Sequence, residues 1–159
     1  MEIKELYLNH CLGKEVKING WIRNHRKQAH FGFIDLFDGT CFKSVQIVYD
    51  EELSNFDDVS KLLVGSSICV SGLVVESAGK QEFEIKAKDI SVLGYCDETY
   101  PIQPKRHTRE FLRDVAYLRP RTALFQAIFR IRSVASMAIH TYFQERGYIY
   151  FHAPIITAS

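Results

Sequence analysis

Residues 31–49 read FGFIDLFDGTCFKSVQIVY and contain two short hydrophobic stretches on either side of a turn. In residues 31–37 and again in residues 44–49, hydrophobic side chains alternate with the rest, which is the two-residue period of a strand with one buried face. Asp38, Gly39 and Thr40 between them are a turn signal. The stretch therefore predicts two strands whose core-facing side chains are Ile34, Leu36, Val45, Ile47 and Tyr49.

Three further segments have strand character. Residues 14–26 alternate, residues 66–76 form a hydrophobic run in which Gly72 marks a bend or bulge, and residues 82–93 alternate again. Between the third and fourth strands, residues 51–64 carry hydrophobic side chains at helical spacing, which predicts a short helix. Five strands with a helix after the third is the layout of the OB-fold, a small Greek-key barrel that often binds oligonucleotides. We therefore predict a mainly β chain with an OB-fold domain over residues 1–96.

The remainder of the chain has a different character. Residues 97–121 are basic and hold three prolines, which predicts a hinge with a short helix near 108–117. Residues 122–146 have the clearest helical period, with Thr122 as the cap and Gly147 at the C-terminal end. Residues 148–152 then read as a strand. One helix and one strand cannot bury their own hydrophobic faces, so residues 122–159 are expected to be the incomplete start of a second domain.

The composition excludes several classes of protein. The 159 residues carry 20 Lys and Arg against 19 Asp and Glu, and 47% are hydrophobic, which excludes a disordered or low-complexity chain. No hydrophobic run approaches the roughly 20 residues of a membrane helix, and the first five residues are charged. We expect a soluble, cytoplasmic protein without a membrane partner. The four cysteines form no CxxC pair and the six histidines no HxxxH pair, so reduced thiols and no metal site are expected.

The charges are segregated along the chain in a way that leaves nucleic-acid binding open. Residues 23–30 hold three basic side chains and two histidines without an acid, and residues 105–121 hold six basic side chains against two acidic ones. A net charge of only +1 argues against binding over the whole surface, but not against a local patch.

The side chains opposite the predicted core form a second pattern. Phe33, Gln46 and Glu84 fall on the outer face of their strands, beside the basic run that begins at Arg23. A ring can stack on an unpaired base, an amide can read a base edge, and basic side chains can hold phosphates. The alternative is structural, with Phe33 as a core or cross-strand residue and the two polar side chains on a solvated strand.

No enzyme motif is present. The sequence has no GxxxxGK[ST], GxSxG or HExxH segment, so no catalytic residue is assigned.

Four short segments resemble a known family. Gly20-Trp21-Ile22, Arg26, Phe33-Ile34-Asp35 and Val45-Gln46 resemble the anticodon-binding OB domain of class IIb aminoacyl-tRNA synthetases. Residues 100–122 resemble the hinge of the asparaginyl members of that family. Residues 129–156 resemble class II motif 1, a long helix and a strand that ends at a proline, here Pro154. Motif 1 is the beginning of the α+β catalytic domain in the family.

The resemblance implies a role for each matching residue. Phe33 would stack on the middle anticodon base, a uridine, and Gln46 would read that base. Glu84 would lie near the first anticodon base, and Arg26 and Arg23 near the anticodon backbone. Ile131, Ala135 and Pro154 would belong to the motif 1 dimer interface.

The resemblance also implies the activity of the parent protein. A full-length enzyme would attach asparagine to its tRNA in an ATP- and Mg²⁺-dependent reaction and would be a homodimer. Motifs 2 and 3 do not occur in these residues, so this chain alone is expected to hold no cofactor and to be inactive. Three alternatives stay open: an aspartyl or lysyl enzyme of the same class, a free-standing OB module that binds single-stranded nucleic acid, or a protein that docks on an intact synthetase. DNA is not the expected partner.

Overall fold

The computed structural model describes residues 1–79 and 81–152, and the chain divides into two compact units, Met1–Leu118 and Arg119–Ser159. The described residues of the first unit form five strands and three helices. In chain order these are α1 (Ile3–Asn9), β1 (Glu15–Lys27), β2 (Phe31–Phe37), β3 (Val45–Asp50), α2 (Phe56–Ser60), β4 (Ser67–Glu76), β5 (Phe83–Gly94) and α3 (Arg109–Asp114). The second unit begins with a 3₁₀ turn (Arg119–Arg121), which leads into helix α4 (Ala123–Gln144).

The five strands close into a barrel in the order β1-β2-β3-β5-β4, and β4 pairs back to β1. The β3–β5 pair is parallel and all other pairs are antiparallel. The predicted irregularity at Gly72 is confirmed, because the β4–β5 register shifts between Ser71 and Gly72. A Cβ atom on Gly72 would lie 2.3 Å from the carbonyl oxygen of Lys86, so only glycine allows this approach of the two strands. The closed barrel with a helix between β3 and β4 is the predicted OB-fold.

The core lies inside the barrel and includes the side chains that the alternation predicted. The core-facing residues of β2 and β3 are at most 1% exposed: Ile34, Leu36, Val45, Ile47 and Tyr49. The bulk of the Tyr49 ring is accommodated by Gly32, where an added Cβ would lie 2.3 Å from the tyrosine hydroxyl. The two-residue period of the sequence was therefore sufficient to orient these strands correctly.

Helix α1 was not predicted. Its side chains Ile3 and Leu6 are fully buried in the barrel core. The helix begins with a hydrogen bond from the Glu2 amide to the Glu5 carboxylate, and Asp38 accepts from the Ile3 amide at 2.7 Å. Because Asp38 belongs to the β2–β3 loop, the start of this short helix is fixed by a residue 35 positions away.

The predicted helices form with shorter bounds, and one predicted cap was wrong. The helix expected within 51–64 is α2, and the one expected near 108–117 is α3, where Thr108 accepts from the Phe111 amide. Thr122 does precede α4, but its hydroxyl donates to the Arg119 carbonyl at 2.7 Å and caps no helix amide. Gly147 has a φ of +80°, as expected after a helix.

The strand predicted over residues 148–152 is wrong, because these residues are irregular. A strand needs a neighbour for its backbone hydrogen bonds, and the described residues of the second unit contain no other strand. Ile149 and Phe151 are accordingly 92% and 82% exposed. The predicted interface residues Ile131 and Ala135 lie exposed on α4, whereas Pro154 lies outside the described residues.

Candidate nucleic-acid interface

Four of the five predicted anticodon residues meet on the outer face of the barrel. Arg26 pairs across strands with Phe33, and Gln46 pairs with Asp35 on the neighbouring strand. The parallel pairing of Ile47 with Ile85 brings Gln46 beside Glu84. The pairing register of four strands thus assembles a ring, an amide, a carboxylate and a guanidinium at one place. We call Arg26, Phe33, Gln46 and Glu84 the four-residue site.

Gln46 lies at the centre of this site and is held from both ends. The Arg26 Nη2 donates to Gln46 Oε1 at 2.7 Å, and Gln46 Nε2 donates to Glu84 Oε2 at 2.8 Å. A guanidinium only donates and a carboxylate only accepts, so the chemistry of the two partners fixes which end of the amide is oxygen. Gln46 is 9% exposed, which excludes the alternative of a solvated strand residue.

Ser77, Gln81 and Glu82, which lie between β4 and β5, add contacts that the sequence did not reveal. Ser77 Oγ donates to Glu84 Oε2 at 3.0 Å, and Ser77 Oγ in turn accepts from the Gly79 amide at 3.2 Å. Gln81 Nε2 approaches Gln46 Oε1 at 3.4 Å, and Lys43 forms an ion pair with Glu82 at 3.2 Å. The sequence of a turn does not predict that a serine in it will hydrogen-bond to a residue seven positions later on the next strand. This contact is evident only in the folded structure, where the barrel has closed.

Phe33 supplies an aromatic surface at the edge of the site. Its ring is half-buried and lies outside the core, which excludes the core alternative. The Phe31 ring meets it edge to face at a centroid distance of 5.4 Å, and the Arg26 guanidinium carbon lies 5.1 Å from its centroid. The ring is thus held between two neighbours while part of it remains accessible for stacking.

Arg23 lies apart from the other four residues, at the β-bulge between Ile22 and Asn24. Its guanidinium carbon lies 4.0 Å from the Phe37 ring centroid, and Nη1 reaches Ser44 Oγ at 3.3 Å in the β2–β3 loop. Burial lowers the pKa of Arg23, while the nearby Asp35 carboxylate acts in the opposite direction. The basic charge of Arg23 is therefore directed at the β2–β3 loop.

A second hydrogen-bonded group lies beneath this face. His25 Nδ1 is 2.9 Å from the Leu62 carbonyl oxygen, and Nε2 is 2.6 Å from the Tyr49 hydroxyl. The carbonyl can only accept, so Nδ1 carries the proton and Nε2 accepts from Tyr49. Burial lowers the pKa of His25 and raises the pKa of Tyr49 to about 12. These residues tie β1, β3 and the α2–β4 connection together with neutral groups.

Neither a metal centre nor a membrane span is present in the described part of the chain. Within residues 1–79 and 81–152, no group of three His, Cys, Asp or Glu side chains could hold a metal ion. No helix in the same ranges is long and apolar enough to cross a membrane. All four cysteines are free thiols.

Comparison with known proteins agrees with the geometry. The family model for the OB-fold nucleic acid binding domain, named for the tRNA anticodon, matches residues 16–93. Asparagine–tRNA ligase from Bacillus anthracis is 53% identical over 160 residues, which cover 99% of this chain and 35% of that protein. The corresponding ligase from Acholeplasma laidlawii is 56% identical over 149 residues, covering 92% of this chain and 32% of that protein.

Solved structures agree on the fold. The asparaginyl-tRNA synthetase of Pyrococcus horikoshii, complexed with asparaginyl-adenylate, superimposes with a TM-score of 0.84 at 24% identity over 98% of this chain and 36% of that one. The aspartyl-tRNA synthetase of Entamoeba histolytica gives a TM-score of 0.85 at 20% identity over 99% of this chain and 40% of that one. The fold is therefore common to both kinds of enzyme.

The barrel is an OB-fold nucleic acid binding domain of the aminoacyl-tRNA synthetase class. Within that class the chain matches asparagine–tRNA ligases over at least 92% of its residues, which agrees with the resemblance of the hinge segment. The chain spans about a third of the length of the ligases it matches.

Proposed function

We propose that the four-residue site reads the middle base of the asparagine tRNA anticodon, a uridine. The observation that supports this proposal is the fixed direction of the Gln46 amide beside the half-exposed Phe33 ring. Phe33 stacks on the base, and Gln46 hydrogen-bonds to its Watson–Crick edge. Glu84 lies toward the first anticodon base. Arg26 and Arg23 contribute positive charge near the anticodon backbone, where phosphates bind.

The base preference follows from which atoms donate and accept. Uracil presents an N3–H donor next to a carbonyl acceptor, and cytosine presents an N3 acceptor next to an amino donor. An amide can match either edge, but only by turning its oxygen and nitrogen around. Arg26 and Glu84 prevent that rotation, because a turned amide would place N–H against a guanidinium and oxygen against a carboxylate. The site therefore prefers uridine to cytosine.

The whole protein is proposed to attach asparagine to its tRNA in an ATP-dependent reaction. ATP and Mg²⁺ are proposed to be used by that whole protein and not to be held by this chain, because the resemblance assigns ATP binding to motifs 2 and 3, which do not occur in residues 1–159. No step of that reaction is assigned to a residue of this chain, and the chain alone is proposed to be inactive. Formation of asparaginyl-adenylate by the isolated chain would contradict this.

Two properties of the parent protein belong to the same proposal. Helix α4 contributes to a homodimer interface through Ile131 and Ala135, with Pro154 as the third residue assigned to that interface. Both helix residues are exposed, and Ile131 is 70% exposed. The protein acts in the cytoplasm, and the four free thiols suit a reducing compartment.

The test is binding to asparagine tRNA beside the same tRNA with cytidine as its middle anticodon base, at two salt concentrations. We expect tighter binding to the unchanged tRNA at both concentrations, with the affinity for each falling as salt rises. Equal binding to both tRNAs would mean that the site contacts phosphates only, and would overturn the base-reading role.

A further inference from the structure

We propose that Ser77 is a positioning residue that sets the base preference of the site without touching the base. The proposal rests on the function proposed above and adds a residue outside the resemblance to it. Ser77 follows directly after β4 and is half-buried. Its hydroxyl donates to Glu84 Oε2, the same oxygen that accepts from the Gln46 amide.

The contacts form one continuous chain of hydrogen bonds. The Gly79 amide donates to Ser77 Oγ at 3.2 Å, Ser77 Oγ donates to Glu84 Oε2 at 3.0 Å, and Gln46 Nε2 donates to that oxygen at 2.8 Å. Because Gly79 occupies the serine oxygen as an acceptor, the serine proton is directed away from Gly79 and toward Glu84. The turn backbone thereby fixes the serine, the serine fixes the carboxylate, and the carboxylate fixes the amide.

Glu84 depends on this contact for its direction. It lies on β5, and its backbone is held by pairing with Val75 of β4, which leaves the side chain free to choose among rotamers. Two donors on one oxygen select the rotamer that faces Gln46. Without the serine proton, Glu84 keeps one of those two donors, and a rotamer directed to solvent becomes competitive. A displaced Glu84 no longer penalises a turned Gln46 amide.

The consequence is specific to base choice. With Glu84 displaced, a turned Gln46 amide that matches cytosine is opposed by Arg26 alone, so binding to the cytidine loop improves while binding to the uridine loop changes little. The stacking surface of Phe33 and the charge of Arg26 do not depend on Ser77. A loss of fold or of phosphate contacts would instead weaken the binding of both RNAs by a similar factor. The ratio of the two affinities therefore separates positioning from a merely structural role.

The experiment measures the affinity of the 159-residue chain for two anticodon stem-loop RNAs that differ only in a middle uridine or cytidine. For Ser77→Ala we expect the uridine-to-cytidine affinity ratio to fall about threefold, less than removal of the Gln46 amide itself would give, because Ser77 acts through that amide. Ser77→Thr keeps the hydroxyl and should restore the ratio. Ser71→Ala removes a hydroxyl from the middle of β4, the strand that precedes Ser77, and should leave the ratio unchanged.

The outcomes separate this proposal from the one on which it rests. If the unsubstituted chain binds both RNAs equally, the base-reading function is contradicted, and the role of Ser77 is contradicted with it. If the unsubstituted chain prefers uridine and Ser77→Ala keeps that preference at an unchanged melting temperature, only the role of Ser77 is overturned. The role of Ser77 would also be overturned if Ser77→Ala bound both RNAs more weakly by the same factor. It would be overturned as well if Ser77→Thr did not restore the affinity ratio.

Discussion

The barrel and helix α4 differ in how much of their hydrophobic side chains is exposed. In the barrel, Ile18, Ile34 and Ile47 are at most 1% exposed, and the strands close on themselves without a free edge. On α4, Ile131 and Val134 are each 70% exposed and Met137 is 63% exposed. The chain thus holds one region whose core is complete and one in which these three hydrophobic side chains are not covered by the described residues.

The difference indicates where each region obtains its stability. A closed barrel gains from hydrophobic burial within its own unit, so its stability belongs to the chain. A helix of 22 residues with exposed isoleucine, valine and methionine gains little from such burial. A binding site on the barrel can therefore be preorganised in this chain, whereas the surface of α4 has the character of an interface.

The largest expected effect is on the free energy of unfolding, when an isoleucine is replaced by alanine in one region or in the other. Ile47→Ala creates a cavity in the barrel and should lower the free energy of unfolding by about 2–5 kcal/mol. Ile131→Ala removes an exposed side chain and should change it by no more than about 0.5 kcal/mol. Denaturant unfolding followed by the fluorescence of Trp21, the only tryptophan, reports on the barrel. Similar losses of unfolding free energy in both variants would show that α4 is covered in solution. They would contradict the difference between the two regions.

The second prediction places RNA binding on the barrel alone. Phe33→Ala should weaken binding to the asparagine anticodon stem-loop by about 1–3 kcal/mol, because a stacking surface is lost. Tyr142→Ala, which removes an exposed aromatic ring from α4, is the control and should leave the affinity unchanged. Unchanged affinity for Phe33→Ala with an intact fold would remove Phe33 from the binding face.

A smaller effect is expected for Gln46, and it should appear in discrimination more than in affinity. Gln46→Ala should reduce the preference for a middle uridine by about 1 kcal/mol, the value of a neutral hydrogen bond. Gln144→Ala at the end of α4 is the control. A uniform loss across all four bases at that position would contradict a reading role, since phosphate contacts carry no base preference.

The smallest expected effect is on the pH dependence of the barrel's stability. The folded barrel keeps the pKa of His25 below its unfolded value of about 6.5, so the unfolded chain binds the extra proton. This contribution to stability is therefore complete above pH 6.5 and is lost as the pH falls through the folded pKa. Melting temperatures of the unsubstituted chain should decline below pH 6.5 more steeply than those of His25→Gln. Parallel profiles would show that His25 is not the titrating group.

The sequence predicted most of the barrel because its strands follow a strict two-residue period. The five strands begin and end within about one residue of their expected positions, and Phe33, Gln46 and Glu84 face outward as the alternation required. Helix α1 was missed because a seven-residue helix has little stability of its own, and Asp38 fixes its start from a distant loop. The strand over residues 148–152 was wrong because strand propensity needs a pairing partner.

The site was predictable as a set of residues but not as a network. Alternation along each strand could place Gln46 and Glu84 on one face, but not their separation of 2.8 Å. Ser77 and Gln81 were missed because a turn has no period, and their partners lie on β5 and β3. Arg23 and Arg26 are three residues apart in one basic run, yet the bulge in β1 directs them to different neighbours.

The most direct test of the central claim follows the side-chain amide of Gln46 by nuclear magnetic resonance as RNA is added. Its Nε2 resonance is assigned by its absence in Gln46→Ala. With the uridine stem-loop we expect this resonance to shift while that of Gln144 on α4 stays in place. If the RNA binds and the Gln46 amide resonance does not move, Gln46 does not read the base, and the account of the site is contradicted.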